Sequence, residues 1–385
     1  MSEKIREATI LDQPEEVKRV DKSGLLGLCT QTPKYCEDAV ELAKKVRIPN
    51  EVNISSEISI KYGKPQQIIV AGMGGSAIGG EILRDWLRDE LPIPIEVCKD
   101  YTLPAYANEN TLVFAVSYSG NTEETLNAFV DAIRRKCMTM TVTSGGHLLS
   151  FSEKLRIPHV TIPRGLSPRV AIPYIFFPMP VLLARMGILP NVDDDIQEVI
   201  RVLERLGEEN SPQTPTERNP SKKLALELAE TLPVVYGFRQ YGAISRRLKT
   251  QLNENSKVLS KHDVFPELSH NEVVGWEAPE AFTKKFSIIL IRDRDEPPEI
   301  QHRIEATKAL ALRKAQRVLE IYTKGKRKLA KMFSVSQVGD FASIYLAILR
   351  DTDPAPVEII DKIKMEMSKR LNVVEKLSTE ISKIT

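Results

Sequence analysis

The chain has 385 residues, 42% of them hydrophobic and 28% charged, which suffices for two domains with full cores. Its 54 lysines and arginines nearly cancel 52 aspartates and glutamates, for a net charge of +2, so there is no nucleic-acid footprint. The four cysteines, Cys29, Cys36, Cys98 and Cys137, lack zinc spacing, and residues 1–6 are charged with no apolar stretch behind them. Reduced thiols in a cytoplasmic protein without a signal peptide are the expectation.

Residues 1–30 are polar and read as an arm lying on the surface. Helical spacing of Ala39, Leu42, Ala43 and Val46 predicts a helix over 35–46, stopped by Pro49. A regular alternation follows. Strands are predicted at 67–71, 95–98, 111–117, 138–143 and 159–162. Helices are predicted at 76–88, from Ser119 through Arg134, and at 147–155. Near-continuous apolar strands between amphipathic helices mean a parallel sheet covered on both faces. The most hydrophobic stretch, 170–189, holds Pro173, Pro178, Pro180 and Arg185. It reads as broken, buried helix and not as a membrane span.

After a helix at 193–206, residues 207–220 have linker composition. The pattern then restarts with a helix at 221–231, a strand at 234–236 and a helix at 242–252. Strands at 286–291 and 317–322 flank a helix at 299–312. Helices at 327–350 and from 357 to the end close the chain. The expected division is 1–52 as arm and helix, 53–207 as a first domain, 208–220 as linker, and 221–385 as a second domain with a C-terminal helix. The stretches IIVAGMGGSAI (68–78) and VVYGFRQYGAI (234–244) are an internal repeat at domain scale, and the second copy has lost the dense glycines.

Two motifs carry chemistry. AGMGGSAIGG (71–80) joins a strand to a helix through glycines, so backbone N–H groups can meet an anion at the helix start. Residues 72–77 also fit the dinucleotide fingerprint, with Asp100 just past the second strand as the ribose acid. A tight strand-to-helix turn needs glycine in any case. The second motif, SYSGNTEET (117–125), sits at another strand end. Ser117, Ser119 and Thr122 offer hydroxyls there, and the helix start adds N–H groups, which together suit a phosphate monoester. Capping by Asn121 or Thr122 explains one hydroxyl but not three.

GMGGS followed by SYSGNTEET resembles the sugar isomerase (SIS) domain. The tandem arrangement, with SPRVAIP (167–173), LNENSK (252–257), PELSHNE (266–272) and DPAPVEIIDKIK (353–364), resembles the archaeal-type bifunctional phosphoglucose/phosphomannose isomerases from about Lys22 onward. The resemblance implies an α/β fold of two SIS-type domains, each a parallel sheet flanked by helices in the flavodoxin-like, doubly wound manner. It implies interconversion of glucose 6-phosphate and fructose 6-phosphate, with mannose 6-phosphate as a further substrate, by ring opening and a cis-enediol.

By the same resemblance, Glu254 is the proton-transferring carboxylate, which such a reaction requires near both carbons. His270, supplied by the partner subunit of a homodimer, and Lys362 assist ring opening; His262 is the backup histidine. Arg169 stabilises the enediolate. Gly75, Ser76, Ser117, Ser119 and Thr122 hold the phosphate and sugar. No metal and no cofactor is implied, and neither a nucleic-acid nor a membrane partner. Where the family commonly reads DPTPVE, this chain has Ala355. The missing threonine hydroxyl is the one linked in relatives to handling both epimers, so the mannose reaction is the less firmly implied. Two other readings of the residues stand beside this one: a sugar-phosphate-binding regulatory SIS protein, and an NAD(P)-dependent dehydrogenase.

Overall fold

The computed structural model describes residues 10–384. The expected arm therefore lies partly outside the described residues, in 1–9, as does residue 385. The chain forms two compact units, both discontinuous in sequence. One comprises Lys34–Asp194 with the chain from Val357 on, and the other the chain up to Pro33 with Asp195–Pro356.

In the first unit a short antiparallel hairpin, β1 (Glu51–Asn53) and β2 (Ser59–Lys61), precedes the sheet. Five parallel strands follow: β3 (Gln67–Ala71), β4 (Ile95–Cys98), β5 (Thr111–Ser117), β6 (Met138–Thr143) and β7 (His159–Thr161), in the order β4-β3-β5-β6-β7. That is the flavodoxin-like winding, whose strand order reverses between β3 and β5. The central strand β5, TLVFAVS, is buried at every residue, as expected of a β-branched and apolar run covered on both faces.

Two core clusters of this unit draw on alternate strand residues. One joins Ile69, Ala71 and Val113 to Ala128 and Ala132 of the helix Glu123–Arg134. The other joins Ala115 to Leu126, Phe129 and Ile133 of the same helix, and to Val52 and Ile60 of the hairpin. The stretch predicted as broken buried helix is two buried helices, Ile172–Phe176 and Pro178–Arg185.

The last helix, Val373–Ile384, packs Leu377 and Ile381 into the second of these clusters, with Arg134–Glu380 (3.1 Å) and Lys154–Ser382 (3.1 Å) at its edge. The C-terminal tail thus returns to the first sheet and does not close the second domain, because an apolar stripe on helix Glu123–Arg134 awaits it. The tail is also two helices, not one; the other, Glu358–Arg370, has no buried residue.

The second unit repeats the winding with one strand fewer. Strands β8 (Leu232–Phe238), β9 (Lys261–Phe265), β10 (Phe286–Arg292) and β11 (Arg317–Tyr322) are parallel in the order β11-β10-β8-β9. The edge strand β9, KHDVF, went unpredicted because its polar side chains do not alternate cleanly.

The surface-arm expectation for residues 10–30 is corrected. Helices Pro14–Val20 and Leu25–Thr30 bury Val17, Val20, Leu25, Leu26 and Cys29. The Asp21 carboxylate accepts from the amides of Leu25 (2.8 Å) and Leu26 (2.9 Å), and the Cys29 carbonyl accepts from Gln337 Nε2 (2.9 Å).

The expected linker 208–220 lies inside this unit. Lys222, fully buried, donates to Asp12 Oδ1 and to the carbonyls of Pro212 and Thr214, each at 2.9 Å. A buried ammonium needs such partners, and they tie down a stretch whose composition alone reads as loose. The helix Lys328–Leu349 is long and apolar enough to cross a membrane, but 94% of its apolar window is buried, as in a core helix.

Candidate active site

The strand ends at the reversal of the first sheet define a crevice of the kind that binds ligands in open α/β sheets. Glycine is required there for close approach. A Cβ on Gly72 would stand 2.9 Å from the Val116 carbonyl, and one on Gly75 would stand 3.2 Å from the Pro168 carbonyl. The β3 turn, the β5 end and the segment before Arg169 therefore meet.

Helix Gly75–Leu87 starts here without a side-chain cap, and its buried Ser76 Oγ accepts from the Tyr118 amide at 3.4 Å. Helix Glu123–Arg134 also starts here. Thr122 occupies its N-cap position, yet the side chain does not cap. Its hydroxyl is instead hydrogen-bonded to Ser117 Oγ at 2.9 Å, and Ser117 Oγ accepts from the Gly120 amide at 3.1 Å. Capping was the rival account of these hydroxyls, and the geometry disfavours it.

Two helix N-termini without side-chain caps stand here beside the Ser76, Ser117 and Thr122 hydroxyls, the kind of place where an anion can be received. Ser119 stands at its exposed rim and accepts from the Asn121 amide at 3.2 Å. Glu123, in the first turn, is raised above the usual carboxylate range by burial and by its neighbour Glu124.

Arg169 is 5% exposed, and the chain bearing it is tied to the β5 end. The Tyr118 hydroxyl donates to the Pro163 carbonyl (3.0 Å) and accepts from the Leu166 amide (2.8 Å). Arg164 Nε donates to the Ser144 carbonyl at 2.8 Å. Sequence reasoning passed over both residues; a tyrosine between the two serines was the available signal for Tyr118. Lys362 is not buried against this crevice. It lies on the exposed helix Glu358–Arg370, where its one ion pair among the described residues is with Glu358 at 3.3 Å.

In the second unit, Glu254 ends the helix Gly242–Glu254 and is half-buried. The helix is anchored from beneath. Arg247 donates to Asp340 (2.7 Å) and Ser336 (2.8 Å), and Gln251 donates to Asp340 (2.8 Å). Burial pushes the Asp340 carboxyl up against the opposing pull of Arg247. Beyond Glu254, Asn255 Nδ2 donates to Ser343 Oγ (2.9 Å) and Ser256 Oγ to the Ser343 carbonyl (2.6 Å), so the turn is rigid. His270 is exposed at the end of the 3-10 turn Glu267–His270, and His262 is partly buried on β9. Asp100, the ribose acid of the dinucleotide reading, accepts from its neighbour's amide, Tyr101 N, at 2.7 Å. Among the described residues no group of three or more His, Cys, Asp or Glu side chains could hold a metal ion.

Two parallel sheets of one winding, the first with a crevice at its reversal point, define a tandem α/β protein. The profile of the bacterial phospho-glucose isomerase C-terminal SIS domain matches residues 217–367. A bifunctional phosphoglucose/phosphomannose isomerase of Caldicellulosiruptor bescii is 39% identical over 333 residues, 86% of this chain and 98% of that protein. One of Thermoplasma volcanium is 33% identical over 338 residues, 87% of this chain and 100% of the relative. A hypothetical protein of Thermus thermophilus of known crystal structure superposes with a TM-score of 0.70 at 16% identity, over 95% of this chain and 96% of the other, which is a likeness of fold. The chain belongs to the SIS-domain sugar isomerase family and is closely related to its archaeal and bacterial bifunctional phosphoglucose/phosphomannose isomerases.

Proposed function

We propose that the protein interconverts glucose 6-phosphate and fructose 6-phosphate, and mannose 6-phosphate and fructose 6-phosphate, without a metal or redox cofactor. The observation that carries this reading is the crevice at β3 and β5. There Ser117 and Thr122 bond each other instead of capping, and two helices start without a side-chain cap, which supports a phosphate held at this end of the sheet. In this reading Gly75, Ser76, Ser117, Ser119 and Thr122 hold the phosphate and the near end of the sugar. Remote phosphate binding then positions the reacting carbons.

His270 and Lys362 open the ring by moving protons at the ring oxygen and the anomeric hydroxyl. Glu254 takes the proton from one carbon and returns it to its neighbour, while the Arg169 guanidinium balances the charge of the enediolate. The relatives' names support the substrate pair. The anchoring of the Glu254 helix by Arg247, Gln251 and Asp340 supports a fixed base. The proposal extends to a cytoplasmic homodimer in which His270 serves the partner's site, supported by its exposure within one chain.

A coupled assay with each aldose phosphate, in the presence of EDTA, is the direct test. Glu254→Gln should cut turnover by roughly 10²–10⁴-fold with phosphate binding retained. An active Glu254→Gln protein would overturn the assignment, and sugar-phosphate binding by the wild type without isomerisation would point to a sensor.

A further inference from the structure

His270 ends the 3-10 turn Glu267–His270, one residue before the 3-10 turn Glu272–Glu277, in a stretch without α-helix or strand. Such a segment has ample freedom to lose, and the side chain is exposed. Yet the chain on both sides of His270 meets one buried side chain, Tyr236 in β8, at its hydroxyl on the C-terminal side and at its ring on the other. Tyr236 is 1% exposed. Its hydroxyl donates to Glu272 Oε1 at 3.0 Å and accepts from Trp276 Nε1 at 3.0 Å. The second Glu272 oxygen accepts from Lys261 Nζ. On the other side of His270, the Phe265 ring packs edge-on against the Tyr236 ring, centroids 6.2 Å apart. Asn271 closes the gap: its Nδ2 donates to Glu267 Oε1 (2.8 Å) and its Oδ1 accepts from the Glu272 amide (2.6 Å).

We infer that Tyr236, acting through Glu272 and Trp276, is a positioning residue for His270. The inference rests on the reading that His270 opens the sugar ring. Neither Tyr236 nor Glu272 need touch substrate for this. The phenol fixes the residues flanking His270 to a strand in the sheet interior, so the imidazole is delivered at one place although its own turn is short. Burial, reinforced by Glu272, pushes the phenol far up, so the hydroxyl remains a donor throughout the working pH range. A carboxylate holds this donor well, because hydrogen bonds to ionised groups are the stronger ones. Misplacement of an acid–base group by about 1 Å costs roughly 10²-fold in rate.

The test uses the full-length enzyme and four variants: Tyr236→Phe, Trp276→Phe, His270→Ala and the double variant Tyr236→Phe/His270→Ala. Tyr236→Phe should lower kcat on glucose 6-phosphate by about ten- to a hundredfold. KM and inhibition by inorganic phosphate should stay within about twofold. Trp276→Phe, which removes the indole donor while keeping an aromatic ring and spares the Tyr236–Glu272 bond, should move kcat the same way, and it carries the test if Tyr236→Phe does not fold. Added to His270→Ala, Tyr236→Phe should cost nothing more, because a residue that acts through another is non-additive with it. Wild-type kcat in both single aromatic variants, or an undiminished further loss in the double variant, overturns the positioning role alone. Wild-type kcat in His270→Ala overturns the ring-opening reading and the positioning role with it.

Discussion

Gly120 shows how little latitude the crevice of the first sheet has at the scale of single residues. Its φ of +69° is a left-handed conformation, and a Cβ there would lie 1.8 Å from the Gly145 carbonyl. Only glycine meets both conditions. Gly120→Ala is therefore expected to destabilise the protein by about 3 kcal/mol, as backbone strain and overpacking combine. Urea denaturation with and without inorganic phosphate would show it: the midpoint should fall, and the stabilisation by phosphate should vanish. A mutant that kept its full phosphate response would remove Gly120 from the crevice. The SYSGNTEET motif was legible as hydroxyls and N–H groups at a strand end. That Ser117 and Thr122 bond each other was not, because a one-dimensional spacing does not say which of two acceptors a hydroxyl takes.

The corresponding end of the second sheet behaves differently at the scale of elements. Asp293, at the end of β10, accepts from the Tyr241 hydroxyl and from Lys331 Nζ (2.9 Å), and Lys331 also pairs with Asp295. Burial opposes ionisation of Asp293, but Tyr241, the Asp295 amide and Lys331 together hold its carboxyl below the usual range. A carboxyl depressed in the folded state binds its proton more readily when unfolded. Its contribution to stability is present above the unfolded value near pH 4 and is lost as pH falls through the folded value. Urea midpoints measured from about pH 5 downward should drop, and Asp293→Asn should flatten that dependence while lowering stability at neutral pH. An unchanged slope in Asp293→Asn would show that other carboxylates, such as Glu209 and Glu320, also held low by lysine and arginine partners, carry the acid sensitivity. The lost glycines of the repeat foretold divergence here. The acid–lysine–tyrosine network that replaced them comes from three separated stretches, Tyr241, Asp293 and Lys331, and no local pattern links these.

For the whole molecule, the shared-site reading makes its own prediction. His270→Ala and Glu254→Gln proteins, each impaired alone, would on this reading form mixed dimers when unfolded together and refolded. If His270 serves the partner's site, one intact site forms in each mixed dimer and activity returns. If His270 acts within its own chain, every site carries a lesion and the mixture stays as impaired as its parents. The exposed apolar residues Ile359 (68%) and Ile363 (56%) on the helix that bears Lys362 accord with a surface that a second copy covers. Within that helix the first turn is acidic (Glu358, Asp361) and the last is basic (Lys369, Arg370), so an antiparallel pairing with its own copy would be complementary in charge.

What the sequence determined by itself was the succession of strands and helices of the first sheet, and of the second sheet apart from its edge strand β9. Strands 67–71, 95–98, 111–117, 138–143 and 317–322 stand at the predicted residues; for 67–71, 111–117 and 138–143 the reason is burial on both faces, which selects β-branched and apolar runs that can be read locally. Only the tertiary structure decided where distant segments go. The polar-looking start of the chain buries Val17, Leu25 and Cys29; the stretch 208–220 is held by a buried Lys222; and the final helix inserts Leu377 and Ile381 beside Phe129. Periodicity reports that a segment has an apolar face. Which of several matching faces covers it is settled by the total burial that the whole chain can reach, and that sum is not local.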